Sequence, residues 1–138
     1  MNKPFRLAVK AVILDEQSRC LVIRRSHVNQ HFVGAWEWPG GKVDAGEDFA
    51  SATLRETLEE TSLKIEITGL AGVTQFEMST VYVVLLCMEA RLTGGELKLS
   101  EEHDAFAWMP LGELSGQALP AQVRDLMLDY AKRKGTQP

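Results

Sequence analysis

Residues 40–63 form a glycine-rich loop that leads directly into a glutamate-rich segment. The pair Gly40–Gly41 and, further on, Gly46 let the backbone adopt conformations and close approaches that side chains would block. Asp48 is a good N-cap residue, which predicts that a helix begins just after it. The stretch therefore predicts a flexible loop next to an acidic helix.

The glutamates of this helix are predicted to lie opposite its apolar stripe. At about 100° per residue, placing Glu56 at zero puts Glu59 near roughly 300° and Glu60 near roughly 40°. The stripe falls between roughly 100° and 200°. It consists of Ala50, Leu54, Thr57, Leu58 and Thr61. We therefore expect the three carboxylates to face away from the buried side of the helix and towards a cation.

Like charges within one helical turn repel, so this glutamate cluster is unfavourable unless a cation lies against it. Arg55 relieves part of the repulsion, because it precedes Glu59 by four residues on a shared edge. A hard cation can relieve the rest, since Mg²⁺ and Mn²⁺ prefer carboxylate oxygens and keep positions for water and phosphate. Helix geometry alone leaves the alternative of a solvated acidic face open, because exposed glutamate-rich helices are common.

The same stretch resembles the Nudix box, the signature of the Nudix hydrolase superfamily. The box consists of Gly, five positions, Glu, seven positions, Arg-Glu, an aliphatic residue, any residue, Glu-Glu, any residue, Gly and an aliphatic residue. The matching positions are Gly41, Glu47, Arg55, Glu56, Glu59, Glu60 and Leu63. The resemblance implies an α/β/α sandwich with a central mixed β-sheet, in which the box helix flanks the active cleft.

Two positions depart from the box. Thr57 replaces an aliphatic residue, and we expect its hydroxyl to bond a carbonyl of the preceding turn. Ser62 replaces a glycine, and if the chain turns left-handed there, a residue other than glycine costs about 1 kcal/mol. Both departures affect packing and helix termination and leave the charged positions intact.

The resemblance implies hydrolysis of a phosphoanhydride bond with Mg²⁺, or alternatively Mn²⁺, as the cofactor. Metal ions held by carboxylates can neutralise phosphate charge, activate water and stabilise the leaving phosphate. The predicted metal ligands are Glu56 and Glu60, one turn apart, together with Glu59 and Gly41. Arg55 is predicted to hold Glu59. Glu47 either reaches the metal through water, pairs with Arg55 or interacts with the helix dipole.

The predicted catalytic residues are Glu59, Glu60, Arg55 and Glu102. The family usually has a further acidic residue outside the box that binds metal or acts as the general base. Glu102 is our candidate for this role, with Glu101 almost equally placed and Glu77 as a third option. The identity of the base stays open among these residues, and a plain surface loop is the alternative for the pair Glu101–Glu102.

The candidate substrate-binding residues are Arg24, Arg25, Lys42, Trp36 and Phe76. The basic residues are candidates for phosphate contact, with surface solvation as the alternative. The aromatic residues are candidates for stacking on a nucleobase, with core packing as the alternative.

The lead-in Trp-Glu-Trp-Pro-Gly-Gly-Lys resembles the MutT-like branch, which implies cleavage of a (d)NTP to NMP and pyrophosphate. Relatives that act on ADP-ribose often carry a proline some fifteen residues beyond the box, and this chain has none between Gly40 and Met109. The alternatives are an ADP-ribose or dinucleoside polyphosphate pyrophosphatase and a non-catalytic nucleotide-sensing module. An isomerase of the isopentenyl diphosphate type would need a reactive cysteine, which neither Cys20 nor Cys87 resembles in sequence.

The composition narrows the classes of partner. The 138 residues predict one domain over 1–138, and the net charge of −4 argues against binding of duplex nucleic acid. The longest uncharged apolar run, 81–88, is too short to span a bilayer, so we predict a cytoplasmic protein that acts on a small nucleotide. Cys20 and Cys87 are predicted to be buried thiols. A homodimer is left open.

Hydrophobic periodicity predicts a mixed α/β structure. Strands are predicted at 6–14, 20–24, 63–76 with a break near 69–72, 80–92 and 103–109, and helices at 48–61 and 120–132. The polar turn 15–19 predicts a hairpin, and 93–96 predicts another turn. The apolar run 81–88 predicts a central strand that is buried on both faces.

Overall fold

The computed structural model of the protein describes residues 3–111, 113 and 120–135. The strands are β1 (Phe5–Leu14), β2 (Arg19–Arg25), β3 (Trp36–Glu37), β4 (Gly40–Lys42), β5 (Leu63–Glu77), β6 (Tyr82–Gly95) and β7 (His103–Pro110). The helices are α1 (Phe49–Thr61) and α2 (Ala121–Arg133). Within this described part, no helix has the length and apolar character needed to cross a membrane.

The described strands form one mixed sheet in the order β3-β2-β1-β6-β5, while β4 pairs with β1 and β7 pairs with β2. Strand β1 runs parallel to β6 along its whole length, and the other pairings are antiparallel. The predicted hairpin between β1 and β2 is confirmed, because the N–H of Asp15 donates to the carbonyl of Arg19 at 2.9 Å. The prediction that β6 is a central strand is also confirmed.

Each face of the sheet carries an apolar core. On β1, Val12 belongs to the core beneath α2, whereas Ala11 and Ile13 belong to the core on the other face, because successive residues of a strand point to opposite sides. Cys20 and Cys87 lie in the core beneath α2 as buried free thiols, as predicted. Helix α1 packs against β1, β4 and β5, and α2 packs against β5. This arrangement confirms the predicted α/β/α sandwich.

Helix α1 does not bury the face that its sequence predicts. Leu54 and Leu58 are 42% and 48% exposed. The residues that α1 buries are Ala52, Thr53, Thr57, Glu60 and Thr61. The expectation was therefore wrong for Glu60 and for the two leucines, whereas Glu59 is exposed and Thr57 and Thr61 are buried as expected. The physical reason is that β4 consists mainly of glycine, so the helix can approach the sheet along its glutamate and threonine edge.

The ends of α1 follow the sequence closely. Asp48 caps the helix, because its Oδ1 accepts a hydrogen bond from the N–H of Ser51 at 2.7 Å. Ser62 ends it in the left-handed conformation with φ = 65°, which a glycine would adopt without strain. The expectation for Thr57 was wrong, since its buried hydroxyl has no hydrogen-bond partner among the described residues.

Three other differences concern the sheet. The predicted break near 69–72 is a pair of register shifts within one continuous strand, β5. The turn predicted at 93–96 begins late, because Gly94 and Gly95 still pair with Lys64 and Leu63 of β5. The short strands β3 and β4 were not predicted, since two or three residues carry no measurable periodicity.

Candidate active site

Glu60 lies in the last turn of α1 and points towards the glycine loop. It is 6% exposed, and its Oε1 accepts a hydrogen bond from the N–H of Gly40 at 2.9 Å. Burial raises the pKa of Glu60 to about 8, and the negative charges of Glu37 and Glu56 act in the same direction, against the lowering effect of Lys10. Among the described residues Glu60 makes no ion pair, so its ionised form lacks a direct counter-ion.

Glu56 lies one turn before Glu60 and packs against Gly41. Its side chain is 15% exposed, and a β-carbon on Gly41 would come within 2.5 Å of Glu56 Oε1. Only glycine permits this approach between the loop and the carboxylate. Burial raises the pKa of Glu56 above its usual range, and the charges of Glu59 and Glu102 contribute to the rise. Two carboxylates with raised pKa values therefore lie next to each other beneath the loop.

Arg55 connects the loop to the helix. Its Nε and Nη2 donate to the two carboxylate oxygens of Glu47 at 2.8 and 2.9 Å, and its Nη2 also donates to the carbonyl of Lys42 at 3.1 Å. This pairing, together with the N–H of Asp44, lowers the pKa of Glu47 to about 2. Arg55 Nη1 donates to Glu59 at 3.1 Å, so the predicted contact between these two residues is present.

The site contains a charge network that the sequence did not predict, centred on Glu37. Glu37 is 6% exposed, and its Oε1 lies 3.0 Å from Lys10 Nζ. Its Oε2 lies 3.0 Å from Arg25 Nη1 and 2.9 Å from His103 Nε2. Burial alone would raise the pKa of Glu37, but Lys10, His103 and Arg25 lower it to about 2.

A signal for this network was present in the sequence. Lys10 interrupts the apolar run of β1, and Glu37 stands between two tryptophans. Charged residues are almost never buried without partners, so such interruptions indicate that the charges pair with each other in the fold. The sequence does not show which strands become neighbours, and the pairing partners therefore could not be assigned.

Glu56 and Glu60 suit a hard divalent cation. Both offer carboxylate oxygens in a shielded position. Both also have raised pKa values, which a bound cation would lower. Within residues 3–111, 113 and 120–135, no three histidine, cysteine, aspartate or glutamate side chains form a metal-binding cluster by themselves. Glu59, whose side chain is 57% exposed, instead faces Arg55. The two carboxylates of Glu56 and Glu60 fit Mg²⁺, which is usually held by one or two carboxylates, with water and substrate phosphates as the remaining ligands.

A cavity of about 450 Å³ opens beside the loop. Its lining includes four cationic residues, Arg6, Lys10, Arg25 and Lys42. It also includes the apolar residues Trp38, Phe76, Val83, Leu85, Val123 and Met127. Because Gly40 and Gly41 also line the cavity, it borders the backbone that contacts Glu60 and Glu56. A lining of both kinds can hold a molecule that carries an apolar ring and negative charge.

The structure places the predicted substrate residues in two groups. Arg25, Lys42 and Phe76 line the cavity. Arg24 lies elsewhere, because its Nε donates to Asp104 at 2.7 Å and its guanidinium lies 5.8 Å from the centre of the Trp36 ring. Trp36 is partly buried against the core beneath α2.

The candidate acidic residues outside the helix also differ in position. Glu101 and Glu102 form the turn before β7, and their carbonyls accept hydrogen bonds from Ser26. Glu102 is close enough for its charge to raise the pKa of Glu56. Glu77 pairs with Lys3 at the end of β5. Of the three, Glu102 has the clearest electrostatic link to the carboxylate pair.

Comparison with known proteins connects this geometry to a family. The family model for the NUDIX domain matches residues 4–130. A MutT-like protein of Streptomyces ambofaciens is 32% identical over 79% of this chain and 66% of that protein. The 8-oxo-dGDP phosphatase NUDT18 of Homo sapiens is 36% identical over 92% of this chain. The match covers only 38% of that human protein, so the chain spans less than two thirds of either relative.

Two further similarities bear on fold and substrate. The crystal structure of a MutT protein from Methanosarcina mazei Go1 superposes with a TM-score of 0.87 and 30% identity, covering 98% of this chain and 99% of that one. An ADP-ribose pyrophosphatase of Methanocaldococcus jannaschii is 28% identical over 88% of this chain and 71% of that protein. The relatives share one domain type but carry names with different substrates.

Proposed function

The chain belongs to the NUDIX domain family, and we propose that it is a Mg²⁺-dependent hydrolase that cleaves a phosphoanhydride bond in a nucleoside diphosphate linked to another group. The proposed substrate is a (d)NTP, and the products are NMP and pyrophosphate. The observation that carries this proposal is the pair Glu56 and Glu60 beneath the glycine loop: both carboxyls have raised pKa values, Glu56 has only a 3.4 Å contact with Arg55, Glu60 makes no ion pair among the described residues, and the loop borders a cavity lined by cationic side chains. We expect the enzyme to act in the cytoplasm on free nucleotides.

Glu56 and Glu60 are the proposed metal ligands, with Glu59 and Gly41 as further candidates. Mg²⁺ bound there would neutralise phosphate charge and make a water molecule more acidic. Arg55 holds Glu59 and ties the loop to the helix, which fixes the carboxylates relative to the cavity. Glu102, in the turn before β7, is the proposed acceptor of the proton from the attacking water.

The cavity suggests how the substrate would be oriented. The apolar part of the wall suits a nucleobase, with Phe76 as a stacking partner. The cationic part suits the phosphates and includes Arg25 and Lys42. In this orientation the phosphates lie next to the glycine loop, and therefore next to Glu56 and Glu60.

Two other substrate classes are supported by relatives. The name of the human relative supports a nucleoside diphosphate with an oxidised base, and the name of the archaeal relative supports ADP-ribose. Both would use the same carboxylate pair, because both contain a phosphoanhydride bond. They differ from the main proposal in the group on the far side of that bond.

Product identification tests the proposal. The protein would be incubated with Mg²⁺ and standard or oxidised (d)NTPs, the matching diphosphates, ADP-ribose and dinucleoside polyphosphates. We expect NMP and pyrophosphate from triphosphates, and no product when EDTA replaces Mg²⁺. Activity confined to ADP-ribose or to diphosphates would overturn the substrate class. The absence of cleavage products from every compound would overturn the hydrolase proposal and favour a nucleotide-sensing module.

A further inference from the structure

Lys10 occupies a junction between the cavity and the carboxylate pair. It lies in β1, lines the cavity, and its Cα is the register partner of Gly40, whose N–H binds Glu60. Its ammonium is close enough to lower the pKa of both Glu37 and Glu60. A phosphate chain that extends from the cavity to Glu60 would therefore pass this ammonium.

Arg25, the neighbouring cation, is already engaged by the protein. Its Nε donates to the carbonyl of His31 at 2.9 Å, its Nη1 donates to Glu37 at 3.0 Å, and its Nη2 donates to the Asn29 side chain at 3.1 Å. All three nitrogens of the guanidinium thus have a protein acceptor. Arg25 therefore ties the 26–34 loop to Glu37, and three of its five N–H groups are used in doing so, which leaves two.

Lys10 has donors to spare. An ammonium carries three N–H groups, and among the described residues the only hydrogen bond and ion pair of Lys10 is with Glu37. The Lys10 side chain is 17% exposed, and Glu37 fixes its position. A partly shielded, fixed cation interacts more strongly with an anion than an exposed one, because water screens it less and little side-chain entropy is lost.

We infer that Lys10 contacts a phosphate of the bound nucleotide at the junction between the cavity and the Glu56–Glu60 pair, while Glu37 and Arg25 hold it in place. This inference rests on the proposed function, since it takes the ligand to be a nucleoside polyphosphate. It adds Lys10 to the cations proposed for phosphate contact, Arg25 and Lys42, and gives it the position next to the carboxylate pair. Arg6 and Lys42, which are exposed, would lie at the rim of the cavity.

Calorimetric binding of a non-hydrolysable analogue tests the inference. The probe is α,β-methylene-dGTP with Mg²⁺, or the analogue of whichever base the product assay favours, and deoxyguanosine or the matching nucleoside serves as the phosphate-free probe. For Lys10→Met we expect the Kd of the triphosphate analogue to rise about 10- to 100-fold, the range of one hydrogen bond to a charged group. Nucleoside binding should stay within about threefold, because only the phosphate contact is lost.

Two further variants separate contact from indirect effects. Lys64→Met makes the same chemical change at an exposed residue of β5, outside this cavity, and should leave the Kd of the triphosphate analogue unchanged. Lys10→Met combined with Glu37→Gln removes the ammonium together with the charge it neutralises, so no uncompensated carboxylate remains. We expect the double variant to bind the analogue as weakly as Lys10→Met. Recovery of wild-type affinity would overturn the inference, because Lys10 would then serve only to neutralise Glu37.

The two proposals fail in different ways. If the wild type binds the analogue in a Lys10-dependent manner but hydrolyses nothing, the hydrolase proposal fails and the phosphate contact stands. If the wild type hydrolyses nucleotides and Lys10→Met binds and turns over normally, the contact is wrong and the hydrolase proposal stands. If the wild type binds none of the analogues, the proposed phosphate contact of Lys10 is also wrong.

Discussion

Glu37 and Glu60 are both 6% exposed, but the pKa of Glu37 is about 2 whereas the pKa of Glu60 is about 8. Three side chains on neighbouring strands surround Glu37 with hydrogen-bond donors and positive charge. Glu60 receives one backbone N–H and lies near other carboxylates. Burial raises the pKa of both carboxyls, and the difference between them comes from their partners, which outweigh burial at Glu37 but not at Glu60.

The fold supplies positive charge that compensates the ionised Glu37, but it supplies no such partner for Glu60. The ionised Glu37 completes its hydrogen bonds within the protein and holds strands together. The ionised Glu60 is unfavourable in the free protein, and a bound cation would reverse this. Unfavourable ionisable groups next to a cavity are typical of functional sites, which is why Glu60 rather than Glu37 carries the proposed chemistry.

The largest expected effect concerns turnover. Glu60→Gln keeps the side-chain shape and an acceptor for the Gly40 N–H, but it removes the negative charge that would hold the cation. We expect the turnover of a (d)NTP to fall by several orders of magnitude, measured as pyrophosphate release with Mg²⁺. The exposed Glu96→Gln is the matched control and should retain wild-type turnover. Wild-type turnover in Glu60→Gln would mean that Glu60 is not a metal ligand.

The next effect concerns stability and the partners of Glu37. Glu37→Gln leaves Lys10 and Arg25 without their shared carboxylate, and we expect the free energy of unfolding at pH 7 to fall by about 3–5 kcal/mol. The folded pKa of Glu37 is about 2, below the ordinary value of 4.5 for a glutamate, so its ionisation stabilises the fold above pH 4.5. This contribution is lost as the pH falls through 2.

Urea unfolding of both proteins between pH 2 and pH 7 measures this effect. The difference in free energy of unfolding between wild type and Glu37→Gln should become smaller below pH 4.5. A difference that stays constant over this range would contradict the depressed pKa of Glu37.

Glu60→Gln should have the opposite effect on stability. The folded pKa of Glu60 is about 8, above the ordinary value of 4.5 for a glutamate. Between these two values the unfolded state binds fewer protons than the folded state, so the stability of the wild type falls as pH rises. In EDTA at pH 7 we expect Glu60→Gln to be more stable than wild type by about 2–3 kcal/mol. Thermal or urea unfolding measures this difference.

Adding Mg²⁺ sharpens the same measurement. A ligand that binds only the folded state stabilises it, so Mg²⁺ should raise the stability of the wild type more than that of Glu60→Gln. Equal stabilisation of both proteins would place the cation elsewhere.

The smallest expected effect concerns the end of α1. Ser62 adopts φ = 65°, so Ser62→Gly should raise the free energy of unfolding by up to about 1 kcal/mol, less any contribution from the Ser62 Oγ hydrogen bond to Lys98. Because neither carboxylate changes, the pH dependence of its stability should run parallel to that of the wild type. A changed pH dependence would show that the helix end and Glu60 are coupled.

The sequence predicted most of the fold, because periodicity and capping are local. The Asp48 cap, the left-handed Ser62 and the β1–β2 hairpin all depend on residues close together in the chain. The buried face of α1 could not be predicted in this way. Its leucines are exposed because the glycines of β4 admit the neighbouring edge that carries Glu56, Glu60 and the threonines, and that contact depends on tertiary structure.

In the candidate site, too, contacts between residues close in sequence were predicted, and contacts between distant residues were not. Glu56 and Glu60 were predicted as neighbours because one helical turn separates them. The partners of Glu37 could not be assigned, since Lys10 and His103 lie 27 and 66 positions away from it in the chain. The cavity likewise combines residues from β1, the glycine loop, β5 and α2, so its shape is a property of the folded chain alone.

The Glu37 network also has an evolutionary consequence. Its members Lys10, Arg25, Glu37 and His103 come from the four strands β1, β2, β3 and β7. Replacement of Glu37 alone would leave Lys10 and Arg25 without their shared carboxylate, so a substitution there is unfavourable unless its partners change as well. Among homologous sequences, the four residues should therefore be retained or replaced together. Such linked inheritance would distinguish a subgroup that shares this cavity from relatives that share only the glutamate helix.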